Sequence, residues 1–80
     1  MKANVYVTLK REVLDPQGDA VRRALEALGF EGLKSVRVGK LIEIELGSVS
    51  RESAEGDLRA MSEKLLANPV IEDFRFEIVD

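Results

Sequence analysis

The stretch Ser35-Val36-Arg37-Val38-Gly39-Lys40-Leu41-Ile42-Glu43-Ile44-Glu45-Leu46 decides the fold of this chain. Its even-numbered positions are apolar except for Lys40, and this period of two predicts a β-strand with one buried face. A two-residue hairpin turn at Gly39-Lys40 is the alternative, but it would place Glu43 on the same face as two valines. We therefore predict one strand over residues 34–46, bent or bulged at Gly39.

The length of this strand suggests a second copy of the chain. At roughly 3.3 Å per residue it would span about 40 Å, about twice the length of a usual strand. A chain of 80 residues needs no strand of that length for its own sheet. A chain this small also buries only about 60% of its unfolded surface, so association is a common source of stability. We predict a dimer that shares its sheet.

Four further elements flank the long strand. Alternating apolar residues predict strands at about 3–12 and 71–79, and the second of these turns Phe74, Phe76 and Ile78 inward. Apolar stripes at helical spacing predict helices at about 16–28 and 51–67, with Asp15 and Ser50 as their N-caps. The order is β-α-β-α-β, an α+β layer related to the ferredoxin-like fold, with one long middle strand where that fold has two.

Composition narrows the class of protein. The net charge of −3 and a pI near 5.0 argue against a nucleic-acid partner. The chain has neither cysteine nor histidine, which excludes disulfides, thiolate metal sites and a Cys-His catalytic pair. No apolar run approaches the length of a membrane span, so we expect no membrane partner and a cytoplasmic location.

The candidate catalytic groups are few. Two pairs of carboxylates could act as acid and base or bind a cation: Glu43 with Glu45, and Asp15 with Asp19. A solvated strand face accounts for the glutamates, and helix capping accounts for the aspartates. Arg37 and Lys40 beside Gly39 could form an anion site, although a structural or interface role suits them better. The residues favour a binding or assembly subunit. The alternatives are a dimeric regulatory module that senses an amino acid, and a stand-alone enzyme acting through Glu43 or Glu45.

Three segments of the chain resemble a known family. They are Val13-Leu14-Asp15-Pro16-Gln17-Gly18 leading into Leu28-Gly29, then Val36-Arg37-Val38-Gly39-Lys40, and finally Leu65-Leu66-Ala67-Asn68-Pro69-Val70-Ile71-Glu72. In this order and at this length the chain resembles PurS, the small subunit of phosphoribosylformylglycinamidine synthase. The resemblance covers residues 1–80 as a single PurS-like domain. Ser62 and Phe74 depart mildly from the family pattern, where cysteine and tyrosine are common.

The resemblance implies a function within a complex. The chain would be a non-catalytic subunit of a glutamine-dependent ATP ligase in de novo purine biosynthesis. It would bridge a glutaminase subunit of the PurQ type and a large synthetase subunit of the PurL type. It would assist ammonia transfer for the conversion of formylglycinamide ribonucleotide to formylglycinamidine ribonucleotide. The complex would use ATP and Mg²⁺, neither of them bound by this chain, and the chain would form a homodimer or homotetramer.

The same resemblance suggests an interface. We expect the partner-facing or dimer-facing residues to lie in three short segments, since folding alone does not explain Gly18 or the polar break at Gly39-Lys40. The expected interface residues are Asp15, Pro16, Gln17, Gly18, Arg37, Gly39, Lys40, Asn68 and Pro69.

Overall fold

The computed structural model describes residues 1–79 and has the predicted α+β order, β-α-β-α-β. The elements are β1 Lys2–Leu9, α1 Pro16–Ala27, β2 Gly39–Glu45, α2 Arg51–Met61 and β3 Glu72–Val79, with a π-helical turn at Ser62–Leu66 directly after α2. The three strands form one sheet in the order β2-β1-β3, and both pairings are antiparallel. No helix within residues 1–79 combines the length and apolar character needed to cross a membrane.

The strand register places most of the apolar strand residues on one face of the sheet. Val5 of the central strand lies opposite Ile42 on one side and Phe76 on the other. Helix α2 covers this face, and its Leu58 is fully buried with Val5 and Val7. Because side chains alternate along each strand, the opposite face carries the mainly polar residues of the sheet, with Leu41 and Val79 exposed among them. The inward orientation predicted for β3 is confirmed.

The prediction of one strand over 34–46 is wrong in its first half. Strand β2 begins at Gly39, and Gly39 and Lys40 pair with Thr8 and Val7, so the hairpin alternative is also excluded. Residues 34–38 form no strand because β1 ends at Leu9, which leaves no neighbouring strand beside them. The chain turns directly after β1, where the Val13 N–H donates to the Lys10 carbonyl at 2.9 Å. Strand β1 therefore does not continue to residue 12, although the sequence predicted that it would.

Helix α1 forms where predicted but does not contribute to the core. Gly29 has φ of +100°, the left-handed conformation expected just after the helix. The apolar stripe, however, stays uncovered: Leu28 is 74% exposed, and Phe30 beyond the helix is 58% exposed. The radius of gyration is 15.9 Å, whereas a compact chain of this length would have about 12 Å. The elongated shape follows from a helix that does not fold back onto its own sheet.

The second helix is shorter than the predicted span of 51–67. Its N-cap is confirmed, since the Ser50 hydroxyl accepts the Ser53 N–H at 3.1 Å. The α-helix ends at Met61, and one π turn follows, in which Ala67 N–H donates to the Ser62 carbonyl five residues back. The buried Ser62 hydroxyl donates to the Leu58 carbonyl at 2.8 Å and thereby contributes to this local widening.

Candidate interaction surface at one end of the sheet

The three segments expected at an interface converge at one end of the sheet. Lys10 N–H donates to the Ile71 carbonyl at 2.9 Å, and Arg37 donates to the Lys10 carbonyl at 2.7 Å. These two bonds connect the loop after β1 to the segment before β2 and to the loop before β3. We call this region the loop end and define it as residues 10–18, 35–39 and 68–72.

Asp15 is the central polar group of the loop end. Its side chain is only 5% exposed, and its carboxylate accepts the Gly18 N–H at 2.9 Å as the cap of α1. The other oxygen accepts the Val38 N–H at 2.8 Å. These two backbone N–H groups, Gly18 first, lower the pKa of Asp15, with a smaller contribution from the Arg37 charge. One carboxylate thus fixes the start of α1 to the segment that leads into β2.

Gly18 and Gly39 allow the backbone to approach closely on either side of Asp15. A Cβ at Gly18 would lie 2.0 Å from the Val36 carbonyl oxygen, and a Cβ at Gly39 would lie 2.5 Å from the Val7 carbonyl oxygen. No other residue fits either position without movement of the backbone. Folding therefore does explain Gly18, contrary to the expectation from the sequence, because the close approach is made within the chain itself.

Arg37 also has an internal role. One of its terminal nitrogens donates to the carbonyls of Lys10 at 2.7 Å and of Val13 at 2.8 Å, while its side chain remains exposed. These carbonyls belong to the loop after β1, where no strand pairs with the backbone. The guanidinium therefore holds that loop in place through charge-assisted hydrogen bonds.

Asn68 organises the third segment. Its side-chain oxygen accepts the Val70 N–H at 3.1 Å, and its carbonyl accepts the N–H groups of Ile71 and Glu72. Glu72 in turn accepts the Asn68 N–H at 2.7 Å. This reciprocal turn fixes the loop before β3 and leaves Pro69 and Val70 exposed.

The exposed part of the loop end carries apolar side chains among polar ones. Leu14 and Val70 are each 78% exposed, and Pro16, Gln17 and Pro69 are also exposed. Lys40 is exposed as well, and its register opposite Val7 places it on the apolar side of β2. Of the expected interface residues, Asp15 and Gly18 are buried inside the chain, whereas the others reach the surface at least in part. Rigid loops that present apolar side chains suit protein docking.

The sequence reasoning did not identify a second organised surface on the polar face of the sheet. There Glu77 accepts the Tyr6 hydroxyl at 2.7 Å and the Asn4 amide at 3.2 Å, and the Arg75 guanidinium lies 4.0 Å from the Tyr6 ring centre. The hydrogen bond between Tyr6 and Glu77 raises the pKa of Tyr6 and lowers that of Glu77. Tyr6 and Arg75 are cross-strand neighbours, but that register is not evident from the sequence of either strand.

Two of the four carboxylates considered for catalysis, Glu43 and Asp19, are paired with cations. Glu43 lies 3.1 Å from the Lys2 ammonium, and Asp19 pairs with Arg22 at 2.9 Å and Arg23 at 2.7 Å. The Arg22 hydrogen bond is the main cause of the lowered pKa of Asp19. Within residues 1–79, no three His, Cys, Asp or Glu side chains are grouped to hold a metal ion.

Comparison with known proteins identifies the family. The family model described as PurS, phosphoribosylformylglycinamidine (FGAM) synthase, matches residues 2–80. The chain belongs to the PurS family. The PurS subunit of Bacillus subtilis is 46% identical over 77 residues, which cover 96% of this chain and 90% of that protein. The PurS subunit of Synechocystis is 47% identical over 74 residues, which cover 92% and 74% of the two chains.

Solved structures agree with this assignment over almost the whole chain. The Bacillus subtilis PurS structure has a TM-score of 0.83 and 44% identity, covering 99% of this chain and 98% of that chain. A chain in the structure of PurLQS from Thermotoga maritima has a TM-score of 0.88 and 29% identity, covering 98% and 95%. The resemblance inferred from the three segments is therefore confirmed, as is the assignment to a subunit of FGAM synthase.

Proposed function

We propose that this chain is the non-catalytic small subunit of an FGAM synthase, a glutamine-dependent ATP ligase of purine biosynthesis. In this role it bridges a PurQ-type glutaminase and a PurL-type synthetase and assists the transfer of ammonia between them. The product is formylglycinamidine ribonucleotide, formed from formylglycinamide ribonucleotide. The observation that supports this most strongly is the similarity to a chain of PurLQS from Thermotoga maritima, with a TM-score of 0.88.

The chemistry of the chain is consistent with a bridging role. Release of ammonia from glutamine by a Cys-His pair requires two residue types that this chain lacks. The sequence also has no glycine-rich phosphate loop, and therefore we assign ATP and Mg²⁺ to the large subunit. The contribution of this chain is then positional: it holds two partners at a fixed separation in the cytoplasm.

The loop end is the proposed contact with a partner subunit. Its backbone is fixed by Asp15, Arg37 and Asn68, so its exposed apolar side chains are presented with little loss of conformational entropy on binding. Leu14 and Val70 are its most exposed apolar residues. Exposed apolar side chains on a well-fixed backbone, with polar groups among them, suit a protein interface.

The chain is also proposed to act as a homo-oligomer. The uncovered stripe of α1, with Leu28 and Phe30, is a large apolar surface for an 80-residue protein. The radius of gyration of 15.9 Å describes a protomer that buries less of its surface than a compact domain would. Association with a second copy would bury the apolar side chains that the single chain leaves exposed.

An assembly experiment tests the bridging role. The glutaminase and the synthetase of the same organism are mixed with and without this chain, and the masses are measured by light scattering after gel filtration. We expect a complex of all three subunits only when the chain is present. Stable association of the two large proteins without it, or failure of the chain to enter the complex, would contradict the proposal.

A further inference from the structure

A groove between the loop end and the polar face of the sheet brings two arginines together. It has a volume of about 370 Å³ and is lined by Thr8, Leu9, Arg11, Ser35, Arg37 and Asp73. This volume lies within the range of about 300–1,000 Å³ that is usual for small-ligand sites. Leu14 and Val70 do not line the groove, so it is separate from the apolar side chains proposed to contact a partner subunit.

Arg37 presents a fixed guanidinium to this groove. Its hydrogen bonds to the carbonyls of Lys10 and Val13 both use Nη2, and the longer contact with the Leu9 carbonyl at 3.5 Å uses the same nitrogen. Within residues 1–79 its Nη1 and Nε atoms therefore have no acceptor. A guanidinium that is held in place through one nitrogen keeps its other N–H groups for an oxyanion.

Arg11 adds a second guanidinium to the same groove. Its side chain is exposed, and in the part of the chain that the structure describes it neither donates to an acceptor nor pairs with a carboxylate. The two cations share the groove with one carboxylate, Asp73, although the whole chain has a net charge of −3. This local excess of positive charge attracts a doubly charged anion such as a phosphate group.

The sheet side of the groove offers groups that suit a sugar. Thr8 of β1 lies directly opposite Asp73 of β3, and Ser35 adds a second hydroxyl from the segment before β2. A carboxylate accepts hydrogen bonds from ligand hydroxyls, whereas it repels a bare phosphate ion. The groove therefore fits a molecule that has a phosphate at one end and hydroxyl groups at the other.

We propose that this groove binds the phosphate ester of a small sugar. The phosphate is held by Arg11 and Arg37, and a sugar hydroxyl donates to Asp73. The sequence suggested an anion site of Arg37 with Lys40, but Lys40 lies opposite Val7 on the apolar side of β2, and Arg11 takes its place. This binding activity goes beyond the bridging role and does not depend on it.

An NMR titration of the intact chain tests the proposal. The Nε–H resonances of Arg11 and Arg37 are followed while ribose 5-phosphate, inorganic phosphate or ribose is added at constant ionic strength. Ribose 5-phosphate should shift both resonances to saturation and bind at least about fivefold more tightly than inorganic phosphate, and ribose alone should shift neither. The absence of a saturable shift with ribose 5-phosphate, or an equal affinity for inorganic phosphate, would overturn the proposal.

A variant at Arg11 tests the phosphate end of the ligand. Arg11→Ala should weaken the binding of ribose 5-phosphate about tenfold, because a charge-assisted hydrogen bond is lost. Lys64→Ala removes an exposed cation from the π turn, outside the groove, and is the matched control. Equal affinities of the two variants would show that the phosphate does not bind at Arg11.

A variant at Asp73 tests the sugar end. Asp73→Ala should bind inorganic phosphate more tightly than the wild type does, because a repelling charge is removed, and it should lose the preference for ribose 5-phosphate. Asp57→Ala on α2 is the control and should keep that preference. A preference for ribose 5-phosphate that survives Asp73→Ala would show that this carboxylate does not bind the sugar.

Discussion

The carboxylate of Asp15 accepts the backbone N–H of Val38 at 2.8 Å across 23 residues of chain. The same side chain caps α1 through Gly18. This pair of bonds fixes the start of α1 to the segment before β2. One buried carboxylate thus holds the start of the helix that carries the exposed apolar stripe.

Asp15→Asn should lower stability mainly near neutral pH. The folded-state pKa of Asp15 lies below its ordinary value, so its ionised form stabilises the fold above about pH 4, and this contribution is lost as the pH falls through the folded pKa. Thermal melting from pH 7 to pH 2.5 should therefore show the wild type and the variant converging in acid. Asp57→Asn, an exposed position on α2, is the control. A constant difference in melting temperature across the range would contradict the assignment.

Gly18→Ala and Gly56→Ala should have opposite effects, although both replace a glycine inside a helix. At position 18 the new methyl group would collide with the Val36 carbonyl, and we expect a loss of about 1–3 kcal/mol in unfolding free energy. At position 56 it meets nothing within the chain, and we expect a gain of up to about 1 kcal/mol. Urea unfolding measures both. Equal effects of the two substitutions would show that Gly18 is not sterically constrained.

Arg37→Ala should loosen the loop end without unfolding the sheet. The variant loses the bonds to the carbonyls of Lys10 and Val13, which we expect to cost about 1–2 kcal/mol. Hydrogen exchange should rise at residues 10–15 and 36–39 but not in β3. Arg37→Lys should restore the protection from hydrogen exchange only partly, because one ammonium does not reproduce the geometry of the guanidinium. Unchanged exchange in both segments would contradict this role.

Leu14→Asp and Val70→Asp should weaken assembly with the partner subunits while leaving melting nearly unchanged. Both side chains are 78% exposed, so the isolated chain loses little packing, whereas an interface would have to bury the new charge. We expect at least about tenfold weaker binding, measured by titration with the labelled chain.

Val49→Asp is the matched control for these two variants. It lies in the loop after β2, at the end of the sheet where the Leu46 N–H donates to the Met1 carbonyl, and the variant should bind normally. Equal loss of binding in the three variants would remove the loop end as the specific contact.

Local features of the chain could be predicted from the sequence. Alternation located β3 and its inward residues, and the N-caps Asp15 and Ser50 were correct because capping depends only on residues within one turn. The family also followed from three short segments. These are properties that neighbouring residues determine.

Features that depend on distant residues could not be predicted. Residues 34–38 continue the period of two, yet Asp15 and Arg37 bind this region to loops rather than to a strand. The row of apolar residues along α1 predicts a helix, but it does not predict which surface packs against those residues. The internal role of Gly18 depends on the Val36 carbonyl, which is 18 residues away. Strand register and contacts between residues far apart in the sequence determine these features.

The central claim is that the chain assists ammonia transfer between two other subunits, and one reconstitution tests it directly. Synthesis by the glutaminase and synthetase is assayed with glutamine and, separately, with an ammonium salt, before and after addition of this chain. We predict that glutamine-dependent synthesis appears on addition while ammonia-dependent synthesis barely changes. If neither activity responds, or if both rise equally, the chain does not act in transfer.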